Sequence, residues 1–180
     1  LQSKEEWLVV IVDFDENPSA PGLDVNQATS MLTGTNGLAA YLEQLSSGKV
    51  ELNLTIHPTV IRAEHSVDHY GKDGSDSRDS GKNGSDGPAT LAIQVVTELS
   101  DEIDWHKWDL DEDGVVDRFI ILHTSKPQED SGTTSKIWSH FGPLTTPVSV
   151  ADGLTVEHYT MASFRSSNYR GTIIHEALHQ

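Results

Sequence analysis

Continuous apolar runs mark two positions of the chain as central strands. Trp7–Phe14 (W-L-V-V-I-V-D-F) and Arg118–His123 (R-F-I-I-L-H) are rich in β-branched residues and show no polar alternation. Such runs are typical of strands that are buried on both faces of a sheet. Lys49–Arg62 instead alternates apolar and polar residues, which predicts a strand with one face in water. Pro58 cannot donate to a strand ladder, so we expect it to interrupt this strand or to lie at an edge.

Helical spacing of apolar residues appears in two further stretches. Gly37–Leu45 and Ala89–Ile103 repeat leucine, valine and isoleucine at intervals of three and four, which predicts helices that pack on a core. Pro88 is well placed at or just before the first turn of the second helix. Asn17–Gly34 is rich in Pro, Gly, Ser and Asn and predicts a loop.

The remaining segments predict short strands and one long loop. Lys136–Phe141 and Leu154–Ala162 are interpreted as short strands joined by a connection rich in Gly, Pro and Thr. Gly71–Pro88 is of low complexity and contains two similar pieces, K-D-G-S-D and K-N-G-S-D. Because this composition buries little apolar area, residues 71–88 are predicted to form a flexible surface loop.

Together these elements predict one α+β domain over residues 1–180, with a twisted mixed sheet and helices packed on it. The net charge of −16, from 12 basic and 28 acidic residues, argues against nucleic acid and anionic membrane surfaces as partners. The chain has no cysteine, so thiolate metal sites and cysteine nucleophiles are excluded. No apolar run approaches eighteen residues, and no membrane span is expected. The chain begins at Leu1 without Met or a signal peptide, as a processed mature product would.

The sequence G-T-I-I-H-E-A-L-H-Q carries the most specific chemical pattern, the motif H-E-x-x-H formed by His175, Glu176 and His179. On a helix, residues four apart lie on one face, so both imidazoles can converge on one metal ion. Neutral imidazoles suit Zn²⁺. Glu176 can then act as the general base toward an attacking water. A catalytic zinc normally has three protein ligands, and we expect the third beyond Gln180.

A second pattern, D-L-D-E-D-G-V-V-D, matches the front of an EF-hand-type calcium loop. Its carboxylates stand at loop positions 1, 3, 5 and 9, and Gly114 stands at position 6, where a sharp bend is needed. Ile120 replaces the glutamate of position 12, so the loop is not a complete EF-hand. An acidic turn without metal is the alternative, but carboxylates this close repel one another unless a cation neutralises them. The candidate calcium ligands are Asp109, Asp111, Asp113, the carbonyl of Val115, and Asp117.

With these residues in place, the whole chain resembles the catalytic domain of the immune-inhibitor-A-like family of secreted bacterial metallopeptidases. The resemblance runs through V-V-I-V-D-F, Y-L-E-Q-L-S-S-G-K-V, H-Y-G, D-L-D-E-D-G-V-V-D-R-F-I-I-L-H, I-W-S-H-F and G-T-I-I-H-E-A-L-H. It implies a zincin fold, secretion, zinc, structural calcium and endopeptidase activity on protein or peptide substrates. His175 and His179 would be zinc ligands, with Glu176 as the general base.

The family's motif continues as H-E-x-x-H-x-x-G-x-x-D, in which the aspartate is the third zinc ligand. The resemblance therefore implies that this ligand and the lower subdomain belong to a missing C-terminal part of the same protein. We expect the 180 residues alone to bind zinc weakly and to show little or no turnover. It also suggests that Ile137–Phe141 lies on an edge strand that an extended substrate could join.

Two other functions remain open at this point. One is a calcium-stabilised binding or adhesion domain without catalysis. The other is a zinc hydrolase that uses the same helix on a non-peptide substrate. Seven further histidines are scattered along the chain and are interpreted as surface or packed residues rather than ligands. They are His57, His65, His69, His106, His123, His140 and His158.

Overall fold

The computed structural model describes residues 3–18 and 25–179, apart from the side chain of Gln27. Its centre is a six-stranded sheet with the order β2-β1-β4-β6-β5, in which β3 also pairs with β1. The strands are parallel except for β5, which runs antiparallel to β6. Their bounds are β1 Lys4–Asp13, β2 Glu51–Ile56, β3 Ile61–Arg62, β4 Phe119–His123, β5 His140–Ala151 and β6 Leu154–Ser163.

The two predicted central strands are confirmed as β1 and β4, which are paired with each other. Their side chains alternate between two hydrophobic cores on opposite faces of the sheet. Leu8 and Val10 belong to one core, and Trp7 and Val9 belong to the other. Burial on both faces explains why these strands are continuous apolar runs in the sequence.

Helices cover both faces. Their bounds are α1 Val25–Thr33, α2 Leu38–Leu45, α3 Val67–Tyr70, α4 Pro88–Leu99, α5 Gln128–Ser131 and α6 Tyr169–Ala177, and a 3₁₀ turn spans Trp105–Trp108. One core contains α4 and the 3₁₀ turn, and the other contains α1, α2 and α6. The predicted α+β class with a mixed sheet is therefore confirmed. No helix of the described residues has the length and hydrophobicity that crossing a bilayer requires.

The loop predicted over Asn17–Gly34 is wrong in its second half, where α1 forms. Residues 19–24 of this prediction lie outside the described residues. Ala28 and Leu32 are fully buried in the core that contains α2 and α6. The helix is therefore stabilised by burying one short apolar face, which the surrounding Gly, Pro and Ser conceal in the sequence.

The strand predicted over Lys49–Arg62 is interrupted around Pro58, as expected: β2 ends at Ile56 and β3 begins at Ile61. Another prediction is wrong, because the stretch interpreted as a connection rich in Gly, Pro and Thr belongs to β5. Prolines are tolerated there because β5 is the edge strand of the described sheet, where a missing N–H costs no ladder bond.

Candidate functional site

The residues of the H-E-x-x-H motif lie at the C-terminal end of α6. Ile173, Ile174 and Ala177 face the sheet and are buried, whereas His175 and His179 are exposed. The helix ends at Ala177, so His179 lies in the turn that follows. The helix thus buries its apolar residues in the core and presents the imidazoles to the opposite side.

The two imidazoles have the separation that a shared zinc ion requires. Nε2 of His179 lies 3.3 Å from Nε2 of His175. Two Zn–N bonds of about 2.0–2.1 Å at a near-tetrahedral angle place their nitrogens about 3.3 Å apart. Each of His175, Glu176 and His179 offers a ligand atom within 4.8 Å of the others. In the part of the chain that the structure describes, the residues present therefore fit two zinc ligands and a neighbouring carboxylate.

Glu176 links the helix to the edge strand. Its Oε2 accepts a hydrogen bond of 3.0 Å from the backbone N–H of Phe141, near the start of β5. Phe141 is paired with Thr160 of β6, but its N–H donates to Glu176 and not to β6. This N–H therefore points away from the sheet. The carboxylate therefore lies at the open edge of β5.

A second carboxylate occupies the same edge. Glu129 of α5 accepts hydrogen bonds from the backbone N–H of Ser139, at 3.1 Å, and from its hydroxyl. Glu129 and Glu176 both line a cavity of about 370 Å³, with Trp138 and Ser139 on the strand side. The backbone N–H groups of residues 139 and 141 are thus both bonded to carboxylates beside the imidazoles.

His140 lies between these two amides, and its ring points to the other face of β5. Nδ1 of His140 lies 2.7 Å from the carbonyl oxygen of Trp138, and Nε2 lies 2.8 Å from the hydroxyl of Tyr159. Burial lowers the pKa of His140, although the Trp138 carbonyl and Glu176 act in the opposite direction. The imidazole is therefore neutral near pH 7, which fits Nδ1–H as donor to Trp138 and Nε2 as acceptor from Tyr159.

The acidic loop predicted to bind calcium precedes β4. Asp109, Asp111 and Asp117 each offer a carboxylate oxygen within 4.8 Å of the others. Burial is the main cause that raises the pKa of Asp117, and the charges of Asp111 and Asp113 add to it. A hard cation would relieve this repulsion, and oxygen ligands are what Ca²⁺ prefers.

The other two calcium candidates take different positions. Asp113 does not belong to the group of three. Its Oδ1 accepts from the backbone N–H of Val115 at 2.9 Å, as the carboxylates of Asp109 and Asp117 also accept backbone N–H groups of the loop. Val115 forms a parallel bridge with Thr155 at the start of β6. Gly114 has a φ of +88°, and a Cβ there would lie 2.7 Å from the carbonyl oxygen of Gly153. The loop is thereby packed against the β5–β6 turn, consistent with a structural role.

The low-complexity segment forms no helix or strand from residue 71 to residue 87. It nevertheless makes specific contacts with the chain before β5. The N–H of Asp73 donates to the carbonyl of Thr134 at 2.8 Å. The carboxylate of Asp79 accepts from the N–H of Trp138 at 3.1 Å. Through these bonds the segment forms one wall beside Trp138 and His140.

Sequence reasoning missed several residues around the motif: Asp79, Glu129, Ser139, His140 and Tyr159. Asp79 is one of many acidic residues in a polar run, and no local pattern distinguishes it. In the sequence His140 is interpreted as one of the scattered histidines, although its alternation with Trp138 in the predicted strand Lys136–Phe141 indicates that both face one side. Comparison with known protein families and with curated proteins finds no match to this chain.

Proposed function

We propose that this chain is the upper part of the catalytic domain of a secreted, zinc-dependent endopeptidase of the immune-inhibitor-A-like type. The observation that carries the proposal is the 3.3 Å separation of the His175 and His179 Nε2 atoms, with Glu176 beside them. The edge strand β5 supports it, because its open edge lies where an extended peptide could pair.

In this proposal His175 and His179 would hold zinc, which would supply a Lewis acid for the scissile carbonyl and would make water more acidic. Glu176 accepts the proton of the attacking water at a carboxylate oxygen and donates it to the leaving amine. Its present bond to the Phe141 N–H places that oxygen at the strand edge, next to the path of a paired peptide.

The third protein ligand is proposed to come from outside the described residues. Within them, the cluster contains two imidazoles and Glu176, and a catalytic zinc has three protein ligands. The family's motif assigns this ligand to an aspartate downstream of the second histidine. We therefore expect the 180 residues alone to bind zinc weakly and to show little or no turnover.

Calcium is proposed as a second, structural metal. Asp109, Asp111 and Asp117 supply converging carboxylates. The loop joins the 3₁₀ turn to β4 and bonds the start of β6 through Val116 N–H and Thr155 O at 2.9 Å. A cation there would hold two strands of the sheet in place without taking part in hydrolysis.

The experiment that tests this function is zinc analysis together with hydrolysis of a quenched peptide and a small ester. It uses the natural gene product and, separately, the 180 residues. We expect tight zinc binding and peptide cleavage by the natural product, and loss of both after His175→Ala. Glu176→Gln should keep zinc and lower peptide turnover by about 10²–10⁴-fold. His106→Ala, at an exposed histidine, is the matched control.

Other results would assign a different function. Ester cleavage without peptide cleavage would indicate a zinc hydrolase with a non-peptide substrate. A calcium-bound protein without zinc and without turnover would indicate a binding or adhesion domain. Equally tight zinc binding by the 180 residues alone would show that one of their own side chains completes the site.

A further inference from the structure

A second cavity lies on the opposite face of β5 from α6. It measures about 580 Å³ and opens between residues 77–87, the start of α4 and the first residues of β5. Its walls include Pro88, Trp138, Pro143 and Tyr159, and Asp79 and His140 supply polar groups. We refer to this space, defined by these six residues, as the Asp79 cavity. Trp138 lines both this cavity and the one beside the motif.

Asp79 is held in this cavity by its backbone and by its carboxylate. Its φ is +49°, in the left-handed region, and its N–H donates to Oδ1 of Asp73 at 3.1 Å. Its two carboxylate oxygens lie 3.1 and 3.4 Å from the N–H of Trp138. The side chain is only 11% exposed. A non-glycine residue that is buried in this conformation is held there by its surroundings. The carboxylate of Asp79 is therefore fixed next to the Trp138 N–H.

The charge of Asp79 is only partly compensated. Burial raises its pKa to about 7, the Trp138 N–H opposes this, and the charges of Asp73 and Glu129 add to it. Arg78 also lines the cavity and its charge lowers the pKa of Asp79, but its guanidinium carbon lies 3.8 Å above the Trp138 ring and the residue is exposed. His140 Nδ1 lies 3.8 Å from Asp79, and burial keeps this imidazole neutral near pH 7. A cation that enters the cavity would therefore gain more from Asp79 than from an exposed carboxylate.

The cavity lies within reach of a peptide paired with the edge of β5. His140 and Gly142 are opposite Met161 and Tyr159, which belong to the core on the α4 face. Phe141 stacks on His158 on the other face. In a peptide strand added at this edge, the residue opposite Phe141 would lie next to Glu176. Because side chains alternate between the two faces of a sheet, the peptide residues immediately before and after it would direct their side chains toward the Asp79 cavity.

We propose that the Asp79 cavity is a substrate subsite that binds the side chain of a lysine or arginine, with Asp79 as the partner of the cationic head. The aliphatic stem would pack along Pro143 and Tyr159, as long basic side chains do on apolar surfaces. The net charge of −16 also attracts basic peptides toward the protein. This subsite rests on the proposed endopeptidase function, since it assigns a side-chain preference to that reaction.

The cleavage test profiles the sites that the zinc-loaded natural protein cuts in a mixed peptide library. We expect the cut peptides to carry lysine or arginine immediately before or after the residue that pairs opposite Phe141. Asp79→Asn keeps an oxygen for the Trp138 N–H and should lower kcat/KM for basic peptides at least about tenfold relative to matched norleucine peptides. Asp76→Asn, at an exposed aspartate of the same segment, should leave the preference unchanged. A preference for aromatic residues, or a basic preference that survives Asp79→Asn, would overturn the subsite.

A binding test separates this inference from the proposed function. Calorimetry of the zinc-free natural protein compares a lysine peptide with the same peptide carrying norleucine. We expect about tenfold tighter binding of the lysine peptide and loss of this difference in Asp79→Asn. Equal binding of the two peptides overturns the subsite even if peptides are cleaved. Absence of cleavage with an intact lysine preference overturns the endopeptidase function and leaves the basic-side-chain site in place.

Discussion

The backbone N–H of Phe141 donates a hydrogen bond of 3.0 Å to Oε2 of Glu176 and so joins the edge strand β5 to the last turn of α6. This bond uses the carboxylate that the proposed reaction needs as a base. It also uses an N–H at the edge where a substrate would pair. The two groups therefore satisfy each other in this structure, and in the proposed reaction zinc and peptide would have to separate them.

The Phe141 amide is expected to report on zinc binding. If Glu176 is the base of the proposed reaction, it would turn toward the attacking water once His175 and His179 held zinc, and the Phe141 N–H would lose its partner. We expect faster hydrogen exchange of this amide and a shift of its ¹H–¹⁵N resonance during a zinc titration of the natural protein. The His175→Ala variant should show neither change. An unchanged Phe141 amide in zinc-saturated protein would argue against Glu176 as the mobile base.

Calcium is expected to stabilise the fold through the loop before β4. The carboxylates of Asp109, Asp111 and Asp117 repel one another without a cation. Calcium at about a hundred times its Kd would add about 2.7 kcal/mol to the free energy of unfolding. Asp117→Asn keeps an acceptor for the Leu110 N–H and should reduce this gain. Thermal unfolding with calcium and with a chelator measures the effect.

The control for this prediction is Asp101→Asn, at an exposed aspartate after α4. It should keep the full response to calcium. If the wild-type melting temperature is the same with calcium and with chelator, the three carboxylates form an acidic turn and not a cation site.

Asp79 is expected to make the protein less stable as pH rises. Burial raises its pKa to about 7 in the folded chain from the ordinary value of 3.8, which applies to the unfolded chain. Between these values the folded protein retains a proton that the unfolded chain has released, so the free energy of unfolding falls as pH rises from about 4 to 7. Asp79→Asn should raise it at pH 8 by a few kcal/mol, at about 1.4 kcal/mol per pKa unit, and by much less at pH 4.

Urea unfolding at both pH values measures this difference, with Asp76→Asn as the control that should change little at either pH. A stabilisation by Asp79→Asn that is the same at pH 4 and pH 8 would contradict the assignment. A carboxylate that is buried to bind a cationic ligand would lower the stability of the ligand-free protein at neutral pH in this way.

His123 is expected to have the opposite pH dependence. It is fully buried at the end of β4, and a backbone interaction with Ser125 only partly offsets the cost of burying its charge. Burial lowers its pKa to about 3 from 6.5. Below pH 6.5 the unfolded chain gains a proton that the folded chain does not, so stability is lost as pH falls from 6.5 toward 3.

His123→Phe should remove this loss and retain the edge contact with Phe14. At pH 5 it should be more stable than the wild type by about 2 kcal/mol beyond any difference at pH 8. Urea unfolding at the two pH values tests this, with His106→Phe at an exposed histidine as the matched control. Equal pH dependence of the wild type and His123→Phe would show that His123 keeps its ordinary pKa.

Local patterns were sufficient for the central strands, α2, α4 and the spacing of the motif. Trp7–Phe14 and Arg118–His123 could be recognised because burial on both faces leaves no polar residue in the run. His175, Glu176 and His179 could be grouped because helical spacing places neighbours four apart on one side. The acidic loop could be recognised from its alternating carboxylates, although the structure groups Asp111 and Asp117 with Asp109 and leaves Asp113 outside this group.

Long-range pairing determined the rest. Phe141 and Glu176 are 35 residues apart, and Trp138 and Asp79 are 59 residues apart; no local periodicity predicts either bond. The sequence by itself therefore determined the sheet's centre and the grouping of His175, Glu176 and His179. Only the tertiary structure decided which edge faces that helix and which buried carboxylate lies behind it, because both depend on how strands distant in sequence are ordered in the sheet.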